Sequence, residues 1–138
     1  MNVMVDTNVV LDVLANREPY CGDAQQLFTA IDSGHIKGYL CATTLTTIQY
    51  LLRKSVSLKE TEKYIRLLLR LFEVASVNRQ VLEAAIESNF NDFEDAVLYE
   101  AARAAEVDLV VTRNLRDFKW ADNIPVVDPP SLLAQLDG

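Results

Sequence analysis

Histidine is almost missing from this chain: there is one, His35, in 138 residues. A mechanism built on a histidine pair, or a histidine-rich metal site, is therefore excluded. Cysteine is scarce as well. Cys21 and Cys41 both sit in mostly apolar settings, which favours buried free thiols in a reducing compartment over a disulfide. Four glycines and four prolines are too few for a disordered or collagen-like chain. No apolar run approaches the roughly 20 residues that span a bilayer. The opening MNVMVDTNVV lacks a basic start and carries Asp6 inside its apolar stretch, so it does not read as a secretion signal. Basic residues are outnumbered, 13 Lys plus Arg against 20 Asp plus Glu, for a net charge of −7. Such a field repels nucleic acid, so a contact of that kind needs a local basic patch or a metal ion. Neither G-x-G-x-x-G nor G-x-x-x-x-G-K-[ST] occurs, which leaves a Rossmann-type nucleotide or phosphate-transfer domain with little support. The expectation is one cytoplasmic domain over residues 1–138 with no membrane segment.

Half of the residues are hydrophobic, and their periodicity alternates. Asn2 to Val5 is a short apolar run that reads as a buried strand. Asp6-Thr7 offers caps to a helix whose stripe is VVLDVLA, and Glu18-Pro19 breaks it. Helices are expected over Asp23 to Asp32, Thr43 to Lys54, from Ser57 through YIRLLLRL, and from Asn78 to about Ser88. The next begins near Asp92 or Phe93 and ends at Ala105, and a last runs from Pro130 to Leu136. Strands are expected over Lys37 to Ala42, Phe72 to Val77, Leu109 to Thr112 and Ile124 to Val127. The last holds a proline and belongs at a sheet edge. RNLRDF reads as a polar loop, and His35 as a surface residue at a helix end. Strands alternating with helices imply parallel βαβ units and a three-layer α/β domain.

In an open parallel sheet, ligands bind beyond the carboxyl ends of the strands. Crossover helices begin at that same edge. Asp6 ends the first strand. Asp92, Glu94 and Asp95 lie in the first turn of the helix leading to the fourth strand. Thr112, Asn114 and Asp117 follow that strand. If the first and fourth strands are neighbours, all three groups share one cleft. Each acid also has a plain structural use. Asp6 can cap a helix, Asp92 and Asp95 have cap spacing, and Asp117 can make an Asx turn. Together they crowd at least three like charges with no histidine nearby, which opposes ionisation unless a divalent cation joins them. Oxygen ligands alone point to Mg²⁺ or Mn²⁺.

The series DTNVVLDVL, DFEDA and VVTRNLRDF resembles the PIN-domain family, including the VapC-type toxins of bacterial toxin–antitoxin pairs. The resemblance covers nearly the whole chain. It implies a parallel sheet of about five strands in the order 3-2-1-4-5, and a metal-dependent nuclease site that usually acts on RNA. By motif match Asp6, Asp95 and Asp117 are implied as catalytic metal ligands, with Asn114 beside the last. Asp92 matches a subgroup written D-x-x-D-A. Asn8 and Thr112 are implied as supports of the ligands. One departure stands out: the family usually carries a glutamate in the helix after the second strand, and the matching position in TLTTIQYLL is Thr47. Gln49 lies roughly 200° further round that helix. Thr43, Thr44 or Thr47 can hold a water but brings no charge, which leaves Asp92 to compensate. The competing expectation is a weak or inactive PIN-like module that binds RNA or a protein.

Hydrolysis of a phosphodiester needs an activated water and relief of charge, and one or two divalent ions supply both. Arg113 and Arg116 flank the last ligands and can meet phosphates or remain solvated. From Arg53 to Arg70 the segment is +4, with Lys59, Lys63 and Arg66 among its six bases, while the rest of the chain is −11. That face is a solvated helix surface, an RNA-backbone contact or the dock for an acidic partner. Tyr64, Ile65, Leu67, Leu68, Leu69 and Leu71 more than surround one face of the same helix, which implies burial on two sides. A homodimer or an antitoxin helix would supply the second surface.

Overall fold

The computed structural model describes residues 1–137. Five strands form one parallel sheet: β1 (Asn2–Val5), β2 (Lys37–Cys41), β3 (Glu73–Ala75), β4 (Leu109–Val111) and β5 (Val126–Val127). Their order is β3-β2-β1-β4-β5. Seven helices cover its faces: α1 (Thr7–Leu14), α2 (Cys21–Asp32), α3 (Ala42–Leu52), α4 (Leu58–Leu71), α5 (Arg79–Glu87), α6 (Phe93–Ala104) and α7 (Pro129–Asp137). The expected three-layer α/β/α sandwich, with the 3-2-1-4-5 order, is what the chain adopts.

The layers follow from the two-residue period of the strands. Val3 and Val5 of β1, Leu40 of β2 and Leu109 and Val111 of β4 enter one core with Val9, Leu27, Ile48, Leu68 and Leu132. Met4, Cys41, Ala75 and Val110 enter the other, against α5 and α6. On α6 the small Ala96, Ala101 and Ala102 let the helix lie close to its neighbours, and Tyr99 fills the remaining space. The Tyr99 hydroxyl accepts from the N–H groups of Asn123 and Ile124 at 2.8 and 3.0 Å, so its burial strands no polar atom. Gly38 on β2 is required sterically: a Cβ there would stand 2.7 Å from the Phe72 ring and 2.9 Å from Ile31.

Element ends differ from expectation by at most two residues. α2 begins at Cys21 rather than Asp23, and β5 loses Ile124 and Pro125 to the preceding turn. The carbonyl of Pro125 still accepts from Val110, and β5 is the sheet edge where a nearby proline is tolerated. RNLRDF contains a single 3₁₀ turn, Leu115–Phe118, instead of open loop. Both cysteines are free and buried, and His35 is exposed. On α4 the chain itself supplies one of the two surfaces expected to bury this helix. Only Thr61 and Leu68 are fully buried, while Leu58, Leu67 and Leu69 remain exposed. Among the described residues no helix is long and apolar enough to cross a membrane.

Candidate metal centre

Asp6 is the fixed point of the carboxyl edge. Its backbone N–H donates to the Val111 carbonyl at 3.0 Å, which ties the end of β1 to the end of β4. The residue is extended, turns the chain into α1, and is only 6% exposed. One carboxylate oxygen accepts from the Thr7 N–H at 2.7 Å. The other accepts from the Thr112 hydroxyl at 2.8 Å and from the Asn8 amide at 3.3 Å. Thr112 Oγ1 itself receives the Asn8 amide at 3.3 Å and the Asn114 N–H at 3.1 Å. Two donors aimed at that oxygen leave its own proton one direction, toward Asp6. Asn8 in turn accepts the Arg113 N–H on its amide oxygen at 3.3 Å, which fixes which way its amide faces. Asn8 and Thr112 thus orient Asp6 from two segments more than 100 residues apart.

The other acids come from α6 and the 3₁₀ turn. Asp92 caps α6, its side chain accepting the Asp95 N–H at 2.9 Å, so the capping use foreseen for D-x-x-D is real. Asp95 is partly buried at the base of the first turn. Asp117 stands on the exposed rim, its N–H held by the Asn114 carbonyl at 3.0 Å. The next residue, Phe118, anchors the turn by burying its ring edge-on to Phe90 at 5.6 Å. Asn114 and Arg116 are exposed beside it.

These acids act on one another. Burial pushes the Asp6 carboxyl up, bonds from Thr112 and Thr7 pull it down, and Glu94 and Asp117 push it up further, with a net rise. Asp95 is pushed from the ordinary 3.8 to about 7, first by burial and then by Asp6, Asp92, Asp117 and Glu94. No lysine or arginine among the described residues pairs with any of the five. Arg113, at the start of the same turn, is committed elsewhere. It grips the buried Asp12 with Nε at 2.6 Å and Nη2 at 3.2 Å, while Arg17 adds a third bond at 3.0 Å. Its guanidinium also lies over the Tyr20 ring, 3.9 Å from the centroid. Asp12, a buried acid, thus has its counter-charges; the rim acids lack them. Among the described residues no three of His, Cys, Asp or Glu converge closely enough to hold an ion as placed.

Sequence reasoning did not assign Glu94 a role. Its carboxylate accepts from the Thr47 hydroxyl at 3.1 Å, across the gap between α6 and α3. A negative charge therefore stands beside Thr47, delivered from the opposite helix. Thr44 is buried and shares a hydrogen bond with Thr7 at 3.0 Å, a tie between the starts of α1 and α3. Thr43 shares one with Cys41 at 3.1 Å. The signal that pointed to Glu94 was its place in DFEDA, but its reach depends on packing.

The solved structures most similar in shape include VapBC2 from Rickettsia felis bound to a promoter DNA fragment. It is 17% identical, with a TM-score of 0.69, and the match covers 93% of this chain and 98% of that one. VapBC-1 from nontypeable Haemophilus influenzae is 15% identical with a TM-score of 0.71, covering 94% and 99%. VapC20 from Mycobacterium tuberculosis, described as a Sarcin-Ricin loop cleaving toxin, is 14% identical with a TM-score of 0.63, covering 78% and 86%. No curated protein matches the chain. The sequence profile of the PIN domain matches residues 2–116, which takes in β1, the DFEDA helix and β4 and ends one residue before Asp117. With the profile spanning most of its length, the chain belongs to the PIN-domain family.

Proposed function

We propose that this PIN domain is a divalent-metal-dependent endoribonuclease of the VapC-toxin type, hydrolysing RNA phosphodiester bonds. The observation that carries the reading is the contrast between the two sets of acids. Asp12 is neutralised by arginines, whereas Asp6, Asp95 and their neighbours repel one another with no cation from the protein. Carboxylates arranged to oppose their own ionisation are a cation site in chemical terms. The donors are all oxygen, which fits Mg²⁺ or Mn²⁺. Magnesium retains waters and takes one or two carboxylates directly, so acids that do not converge on a single point still suit it.

Asp6, Asp95 and Asp117 would hold the ion, with Glu94 as a fourth acid and Asp92 and Asn114 as lesser contributors. Bound there, the ion would lower the pKa of the attacking water and offset charge on the phosphate. The protein's own part is orientation. Thr112, the Thr7 N–H and Asn8 hold both oxygens of Asp6, so its direction is set before substrate arrives. Thr47 steadies Glu94, and Asn114 positions Asp117. Arg116, exposed beside Asp117, is placed to meet a phosphate. Asp92 with Asp95-Ala96 supports a place for the chain in the D-x-x-D-A subgroup. The partners that follow are RNA, an antitoxin protein and a second copy of the chain. Several structural relatives are toxin–antitoxin complexes.

The second reading is a module that binds without cleaving, and Thr47 in place of a carboxylate is the feature that favours it. Cleavage of structured RNAs with Mg²⁺ or Mn²⁺ by the wild type and by Asp6→Asn separates the two. Metal-dependent cutting by the wild type alone supports the nuclease, and equal background from both supports the binding module.

A further inference from the structure

Beside the acids, on the other flank of the turn after β4, lies a cavity of about 300 Å³ lined by Tyr20, Asp23, Arg113, Asn114, Asp128, Pro129 and Pro130. It is built from the loop before α2, the end of β4 and the start of α7, all at the carboxyl edge of the sheet. Asn114 belongs to both places. Its N–H donates to Thr112, which donates to Asp6, and its carbonyl receives the Asp117 N–H, while the residue also lines the cavity. We infer that this cavity is a base-recognition pocket, which takes an unpaired guanine of the RNA next to the phosphate presented to the acids. The inference deepens the nuclease reading and rests on it.

The walls suit a flat neutral ring. Tyr20 is 44% exposed, and the two prolines extend the apolar side. Unpaired bases are read by stacking on aromatic faces and by hydrogen bonds to their pairing edge. The polar groups select the edge. Carboxylates only accept, so Asp23 and Asp128 ask for donors. Asp128 already takes the Ser131 N–H at 2.9 Å, whereas Asp23 has no hydrogen bond or ion pair to another described residue. Guanine is the base that offers two adjacent donors, N1–H and the 2-amino group, as a carboxylate accepts them in a bidentate pair. The Asn114 amide can donate to its O6. Cytosine, adenine and uracil each place an acceptor beside their donor, which would face the carboxylate. An arginine from a partner protein fits less well: the Arg113 guanidinium, against one face of Tyr20, lines the same cavity and would repel a second cation, while the exposed remainder of the ring is open to a neutral base.

Guanosine, adenosine, cytidine and uridine, and N-acetyl-arginine amide as the protein-contact probe, are titrated against the full chain in EDTA and followed by ligand-observed NMR. Guanosine is expected to bind at least about tenfold more tightly than the other nucleosides. Asp23→Asn and Tyr20→Ala should each weaken it by about fivefold or more, and Tyr20→Phe should keep it. Tyr20→Leu retains apolar bulk without the ring and replaces Tyr20→Ala should that variant fail to fold. Equal binding of the four nucleosides, no binding, or preference for the arginine probe overturns the pocket. The assay has neither metal nor cleavage. A chain that binds guanosine but cuts nothing overturns only the nuclease reading, and one that cuts without preferring guanosine overturns only the pocket.

Discussion

Replacing Asp95 by asparagine should stabilise the metal-free protein above neutral pH. In the folded chain this carboxyl titrates at about 7 instead of 3.8, because burial and four neighbouring acids disfavour its charge. Between those values the folded state holds a proton that the unfolded state has released. Stability therefore falls as pH rises through that window and levels off above about 7. A shift of this size carries about 4 kcal/mol for a fully shielded group. Asp95 is only partly buried, and solvent screening reduces the figure to about 1–2 kcal/mol. Losing a carboxylate at the start of α6 subtracts about 0.5 kcal/mol from the gain. The net effect in a domain of this size is a rise in melting temperature of about 2–6 °C at pH 8. The assay is melting temperature from pH 4 to 9 in EDTA. The wild type should lose stability toward neutrality more steeply than Asp95→Asn, in which only the raised Asp6 carboxyl remains, and millimolar Mn²⁺ should restore the wild type at pH 8. Parallel curves for the two proteins would refute the like-charge account.

Truncating Asp12 to alanine leaves Arg113 and Arg17 without their anion and should destabilise the fold by about 3–5 kcal/mol in urea titrations; a loss under 1 kcal/mol would show that the brace is dispensable. Glu94→Gln should weaken Mn²⁺ binding, measured calorimetrically, by about tenfold, and Thr47→Val by less. Equal affinity of Glu94→Gln and wild type would remove Glu94 from the site. Changing Lys59, Lys63 and Arg66 to glutamate should reduce RNA affinity and flatten its dependence on salt by up to about three unit slopes. An unchanged slope would leave that face a solvated surface.

Much of this architecture was legible before any coordinates. The apolar MNVMV and LVV runs, each followed by a polar turn, mark β1 and β4, and DTN and TRN-x-x-DF mark their carboxyl ends. The D-x-x-D spacing announced the α6 cap because capping is local. What could not be read lies in pairs far apart in the chain. Arg113 reaches Asp12 over 101 residues, and Glu94 reaches Thr47 over 47. A charged residue in a helical stripe gives no sign that it will be buried beneath two surface-reaching arginines. Nor does the apolar girdle of α4 say which of its leucines the rest of the chain covers; Leu68 is covered, and Leu67 and Leu69 are not. The 3₁₀ turn at Leu115–Phe118 escaped because its Asn and Asp chemistry is shared with ordinary turns.

The brace formed by Asp12, Arg17 and Arg113 joins the two halves of the carboxyl edge without borrowing any of the rim acids. Brace and site meet at Asn8, which receives Arg17 and Arg113 and donates to Asp6. Asp6 and Asp92 also cap α1 and α6, so neutralising Asp95 and Asp117, which cap no helix, should leave the brace and the fold intact. A copy neutralised at those two positions would keep the surface that it presents to any partner.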